Sequence, residues 1–326
     1  MRSRPLASLT VFVAAFLSMG AKHATRNFVV EAPTEALAER MGQWAEYYRK
    51  TKAVEWLGKE MPPWPRRCPL RIKVTFGPSG GATSFNFFPE GYLPMDMEVE
   101  GKMDRIVASV LPHEVTHTVM AHYFKQPVPR WADEGGSVLS EDEAERQQHE
   151  GEVRRIIRNS RRKIQLRTLF GLKKYPDDMI VLYAEGYSAT NLLVGKSSRA
   201  AFLAFVADGM KHGWDKALQS HYGYRSVEEF EGEWLATLAK PPQKDTGLVA
   251  DRRSGEVTTA ASRVVVRQTL PPALPVLGAP RMAGGGTVRG SMPEEKPAAK
   301  REEDARPMPS VRVGRPRPSS PVGFSE

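Results

Sequence analysis

The chain reads as an α+β domain: short strands first, then one broad-faced buried helix and a mostly helical C-terminal half. Three observations predict this class. Short alternating stretches cluster before residue 101 and are separated by Pro- and Gly-rich turns. The stretch 103–123 then carries Ile106, Val107, Val110, Leu111, Val115, Val119 and Met120, a surface broad enough for a helix buried between layers. From about residue 179 to 239 apolar residues recur only at helical spacing. Strands followed by helices, rather than alternating with them, point to α+β.

The chain begins with Arg2 and Arg4, an apolar run from Leu6 to about Met19, and small residues after it. This is the layout of a secretory signal peptide over 1–21, with a cut after Gly20 or Ala21. An uncleaved anchor is the alternative, although the run is shorter than a spanning helix requires. Either way the protein is expected to be exported: periplasmic, secreted or membrane-anchored. Cys68 is the only cysteine, so no internal disulfide is available and the domain must rest on its core. Cys68 itself reads as a small buried apolar residue.

The domain is expected over 22–240. NFVVEAP (27–33) reads as a strand, and 34–56 as an amphipathic helix capped by Thr34, with Leu37, Met41, Trp44, Ala45, Tyr48 and Ala53 on one side. LRIKVTF (70–76), ATSFNFF (82–88) and MDMEVE (95–100) read as strands, with a turn at 77–81. Pro112, inside the central helix, must kink it or start its second half. Pro127 and Pro129 mark the turn into another helix near Arg130 or Trp131. The stretch 140–165 is acidic first and basic later, which suits the helix dipole. Its cluster Arg154, Arg155, Arg158, Arg161, Arg162 and Lys163 lacks interleaved aromatics, so it reads as a solvated face and no nucleic-acid partner is expected. Helices follow at 179–195, 198–211, 214–220 and 226–239.

From Pro241 the composition changes. Residues 241–326 hold 13 of the 26 prolines and a single aromatic, Phe324. Such a segment cannot bury enough apolar surface to offset its ordering entropy, and is expected to be disordered. It carries 14 Lys/Arg against 9 Asp/Glu, so most of the chain's formal charge of +9 belongs to it. A weak association with an acidic envelope surface is one expectation; a solvated linker is the other.

The chemistry concentrates at 111–136, LPHEVTHTVMAHYFKQPVPRWADEGG. His113 and His117 are four residues apart, hence one above the other on a helix face and able to share a cation. Neutral imidazole suits zinc, which in catalytic sites takes three protein ligands and leaves one position open. Glu114 follows His113 and can reach a water at that position without ligating. Bound zinc lowers the pKa of such a water to about 7, and a carboxylate can then take its proton. Glu134, in WADEG, is a plausible third ligand. Asp133 is its competitor, because neighbouring residues on a helix point about 100° apart and only one can face the metal. His122 lies outside the ligand spacing. Gly135 and Gly136 leave room for the second helix to lie against the first.

HEVTH followed by WADEG resembles the gluzincin branch of the zinc metallopeptidases, the peptidase-MA-like group, where HExxH lies on one helix and a Glu in an N/D-E-G motif on the next. The resemblance is close over about 26 residues, with looser support over 27–240. It implies a zincin-like fold with a small mixed sheet packed on the active-site helix, zinc held by His113, His117 and Glu134, Glu114 as general base, and a peptide or protein as substrate. YAEGYS at 183–188 is similar to the Y-x-K-G-A motif of aminopeptidase members, which implies Tyr183 as the donor to the oxyanion, with Tyr187 as alternative. In such enzymes the edge strand over the active-site helix pairs with an extended substrate; 82–88 is the expected edge, an ordinary structural hairpin the alternative. Four departures stand out. The spacing from His117 to Glu134 is shorter than in the aminopeptidases, and Glu185 replaces the motif's Lys. Val138 stands where some members have an Asp that orients a histidine. GxMEN is absent, so aminopeptidase specificity does not carry over. Two rival readings are a non-catalytic zinc-stabilised scaffold on the same fold, and an exported surface-binding protein whose HEVTH is accidental.

Overall fold

The computed structural model of the chain describes residues 20–89, 91–159, 161–241 and, as backbone only, 311–314. The expected signal segment therefore lies almost wholly outside the described residues, as does the tail apart from Pro241 and 311–314. No helix among the described residues is long and apolar enough to cross a membrane.

The architecture is α+β with a small mixed sheet, as expected. In chain order the elements are β1 (Ala21–Ala24), β2 (Phe28–Ala32), α1 (Glu35–Leu57), β3 (Cys68–Val74), β4 (Gly80–Phe88) and β5 (Gly91–Gly101). Then come α2 (Met103–Arg105), a π-helical turn (Ile106–Val110), α3 (Leu111–Phe124), α4 (Arg130–Val138), α5 (Glu143–Arg158) and α6 (Leu166–Gly171). The chain closes with α7 (Met179–Lys196), α8 (Arg199–His212), α9 (Trp214–Tyr222), α10 (Val227–Ala239) and β6 (Val311–Gly314). The sheet order is β1-β2-β3-β5-β4-β6. β2, β3 and β5 are parallel neighbours, while β4 folds back on β5 as an antiparallel hairpin and takes β6 antiparallel on its outer edge.

Several boundaries differ from expectation. A cut after Gly20 leaves β1 whole, whereas a cut after Ala21 removes its first residue. β5 is longer than 95–100 because its whole length pairs with β4. The helix expected over 140–165 stops at Arg158, and α6 is a separate short helix. Thr34 does cap α1, accepting from the Leu37 amide, a bond worth about 1 kcal/mol. Cys68 is fully buried, and burial pushes its thiol pKa up, away from reactivity.

Two apolar clusters flank α3. Leu111 and Val115 join the one beneath the sheet, with Met41, Trp44, Leu70 and Val99. Val119 and Met120 join the other, formed by the C-terminal helices with Trp131, Phe170, Phe202 and Phe205. Pro112 starts α3 rather than kinking it, and a π turn precedes it. The Leu111 amide turns to Ile106 O and Pro112 has no N–H, so the Val107 carbonyl is satisfied instead by the Tyr48 hydroxyl at 2.8 Å. α1 thereby holds the π turn that leads into α3, six residues before His113.

Candidate metal centre

The i, i+4 spacing on α3 sets the two imidazole rings 4.9 Å apart, centre to centre, and both side chains are buried. Each ring is gripped from behind. His113 Nδ1 lies 2.7 Å from Glu141 Oε1, in the turn after α4. His117 Nδ1 lies 2.9 Å from Asp133 Oδ1 and 3.1 Å from Ser137 Oγ. Both Nδ1 atoms thus serve as donors to carboxylates, and both Nε2 atoms face one gap.

Glu134 closes that gap. Its Oε2 stands 3.4 Å from His113 Nε2 and 3.7 Å from His117 Nε2. Asp133 and Glu134 diverge as adjacent helical residues must, so Asp133 takes the outer face of His117 and Glu134 the inner one. The position of Glu134 depends on close helix packing. A Cβ on Gly136 would come within 2.5 Å of Met120 Cε on α3, whereas one on Gly135 would meet the Gly186 carbonyl on α7 at 2.4 Å. Gly136 thus makes room against α3 as expected, while Gly135 makes it against α7. Trp131, stacked on Phe170 at 4.1 Å, anchors the start of α4.

Glu114 is held from the sheet side. Thr83 Oγ1, on β4, donates to Glu114 Oε2 at 2.7 Å. A Cβ on Gly81 would lie 2.6 Å from Glu114 Oε1, so this strand approaches the carboxylate only because it carries glycine there. β4 therefore passes over α3 beside Glu114, but it is not the open edge expected of 82–88: β5 pairs with one side of it and β6 takes Ala82–Phe85 on the other.

Four buried atoms border the gap without a hydrogen bond: His113 Nε2, His117 Nε2, Glu134 Oε2 and Glu114 Oε1. Leaving a buried polar atom unsatisfied costs about 1–3 kcal/mol, and a cation shared among these groups would offset that cost. Two imidazoles and two carboxylates suit a divalent cation of the zinc type. The tightest group is His113, Glu114 and His117, whose ligand atoms lie within 4.8 Å of one another, and Glu134 Oε2 is within reach of both rings. The charges reinforce one another. Burial opposes a proton on His113, but Glu134 and Glu141 outweigh it and push its pKa up to about 9. Burial would raise Glu134, yet the two histidines and Tyr175 hold it down near 2. Glu114 is raised, chiefly by burial.

The remaining expected residues fall nearby. The Tyr183 ring is buried and lies 6.3 Å from that of His113, at 29° to it, with His149 6.5 Å away. Tyr187 is nearer His149, at 5.9 Å. His122 sits beside Tyr92, away from the gap, as its spacing indicated. Glu185 accepts from the Ile164 amide, and its other oxygen is buried without a partner. Of the basic cluster, Arg154, Arg155, Arg162 and Lys163 pair with Glu150, Glu152, Asp178 and Glu231.

Sequence reasoning missed Glu141, Thr83 and Tyr175. The Tyr175 hydroxyl donates to Glu134 Oε1 at 2.6 Å, from the loop before α7. Only the spacing of Glu141, seven residues after Glu134, offered a signal, and it lies outside the usual motif. No family model matches the chain, and neither a curated protein nor a solved structure matches it.

Proposed function

We propose that the protein is a zinc-dependent metallopeptidase of gluzincin type, with a zincin-like fold, acting on a peptide or protein substrate. The observation that carries this reading is that His113, Glu114 and His117 bring ligand atoms within 4.8 Å of one another, with Glu134 Oε2 beside both rings, and that buried atoms of all four residues make no hydrogen bond. His113, His117 and Glu134 would hold the metal, since Nε2, Nε2 and Oε2 are the atoms they turn toward one another. Bound zinc supplies Lewis-acid polarisation and an acidified water. Glu114 takes and returns the proton at Oε1, while Thr83 pins Oε2 so that the free oxygen keeps its aim. Burial raises the Glu114 carboxyl, which brings it closer to the range where it both accepts and donates a proton. Tyr183 is the donor to the developing oxyanion that the motif likeness indicates.

A second reading has an observation of its own. Glu114 is as fully buried as the ligands, and as a fourth ligand it would make a closed, purely structural site. One variant separates the two. The metallopeptidase reading expects Glu114→Gln to retain stoichiometric zinc and lose about 100-fold or more of the rate on an unfolded protein substrate. Loss of metal with no activity in either protein favours the scaffold. Equal rates in the two zinc-loaded proteins remove the catalytic assignment.

A further inference from the structure

We infer that Tyr175 is a positioning residue that keeps Glu134 a one-oxygen ligand, an inference that rests on the metal reading above. Its hydroxyl donates to Glu134 Oε1 at 2.6 Å, while Oε2 alone faces the two histidines. A carboxylate has two equivalent oxygens and can close both on a cation; a phenol bonded to one of them prevents that rotation. The phenol is in turn fixed. The Arg130 guanidinium lies 4.6 Å over its ring and Arg130 Nη1 is 3.4 Å from its oxygen. Arg130 opens α4 and Glu134 lies one turn on, so the helix that delivers the ligand also carries the residue that holds its clamp. Keeping Glu134 from closing with both oxygens would leave a bound cation one further ligand position. His113 and His117 are each held by a single carboxylate from behind, and Tyr175 does the equivalent for the third ligand.

The test substitutes Co2+ into the full-length wild type, Tyr175→Phe and Arg130→Gln, the last guarding against misfolding of the first. Cobalt affinity, visible-band intensity, and kcat and KM on an unfolded protein are measured for each. In Tyr175→Phe the released carboxylate is expected to ligate through both oxygens. Affinity then stays within about threefold or rises, the visible bands weaken as coordination number grows, and kcat falls about 10- to 100-fold with little change in KM. Arg130→Gln should move all three in the same direction by less. A wild-type spectrum and kcat in Tyr175→Phe overturn this inference alone, since the loaded wild type still supports the site. Loss of cobalt in Tyr175→Phe overturns it too, by making the phenol a support for affinity. A wild type that takes up no cobalt overturns both this inference and the metallopeptidase reading.

Discussion

Glu141 is the residue that chooses which nitrogen of His113 faces inward, because its carboxylate accepts the Nδ1 proton at 2.7 Å. Asp133 performs the same service for His117. These bonds fix tautomer and ring angle, and their charge makes the inner nitrogens more basic. Glu141→Gln preserves an acceptor but not the charge. Zinc affinity is expected to fall about 10- to 100-fold, read by competition with a chromophoric chelator. An unchanged affinity would mean that the carboxylate does not act through His113. The Val138 departure is thereby accounted for at this scale: the orienting carboxylates come from Asp133 and Glu141, one before and one well after the ligand.

At the scale of elements, α7 carries a titrating group in its buried face. Burial pushes the Glu185 carboxyl up to about 8. The unfolded chain releases that proton at about pH 4.3. Between the two values the folded state holds a proton that the unfolded state has lost. The contribution is therefore complete below about pH 4, declines as pH rises, and is gone above about 8. Glu185→Gln keeps an acceptor for the Ile164 amide and removes the titration. Urea unfolding from pH 5 to 8 should show the variant gaining on the wild type by up to about 1.4 kcal/mol per pH unit. A difference that does not vary with pH contradicts the assignment. The elements themselves differ in how far local sequence foretold them. α1, β2, β3 and the four C-terminal helices were legible because periodicity is a local property. β1 was not, since AKHA is short and polar and adjoins an apolar run that reads as a signal peptide. The order β3-β5-β4 depends on which strands pair across the sheet, and no stretch of sequence carries that alone. His113, Glu114, His117 and Glu134 were legible for the same local reason as the helices. Thr83 and Tyr175 reach the site from β4 and from a distant loop, so only tertiary packing brings them to it.

Across the whole molecule, α3 is a buried partition: the sheet and α1 pack on one side of it, the C-terminal helices on the other. Each side contributes to the site. β4 brings Thr83 and the Gly81 gap to Glu114, α4 brings Glu134, and the loop before α7 brings Tyr175. Four buried polar atoms without a hydrogen bond lie at this partition, and on the proposed reading a cation taken up by them would link metal binding to stability. The direct measurement is zinc uptake by the full-length chain, followed by elemental analysis and thermal unfolding, beside His117→Ala. The account predicts one zinc per wild-type chain and a stabilisation of about 4 kcal/mol at a thousandfold excess over Kd, with neither in His117→Ala. A wild type that retains no zinc, or a His117→Ala protein that binds and gains as much, would contradict it.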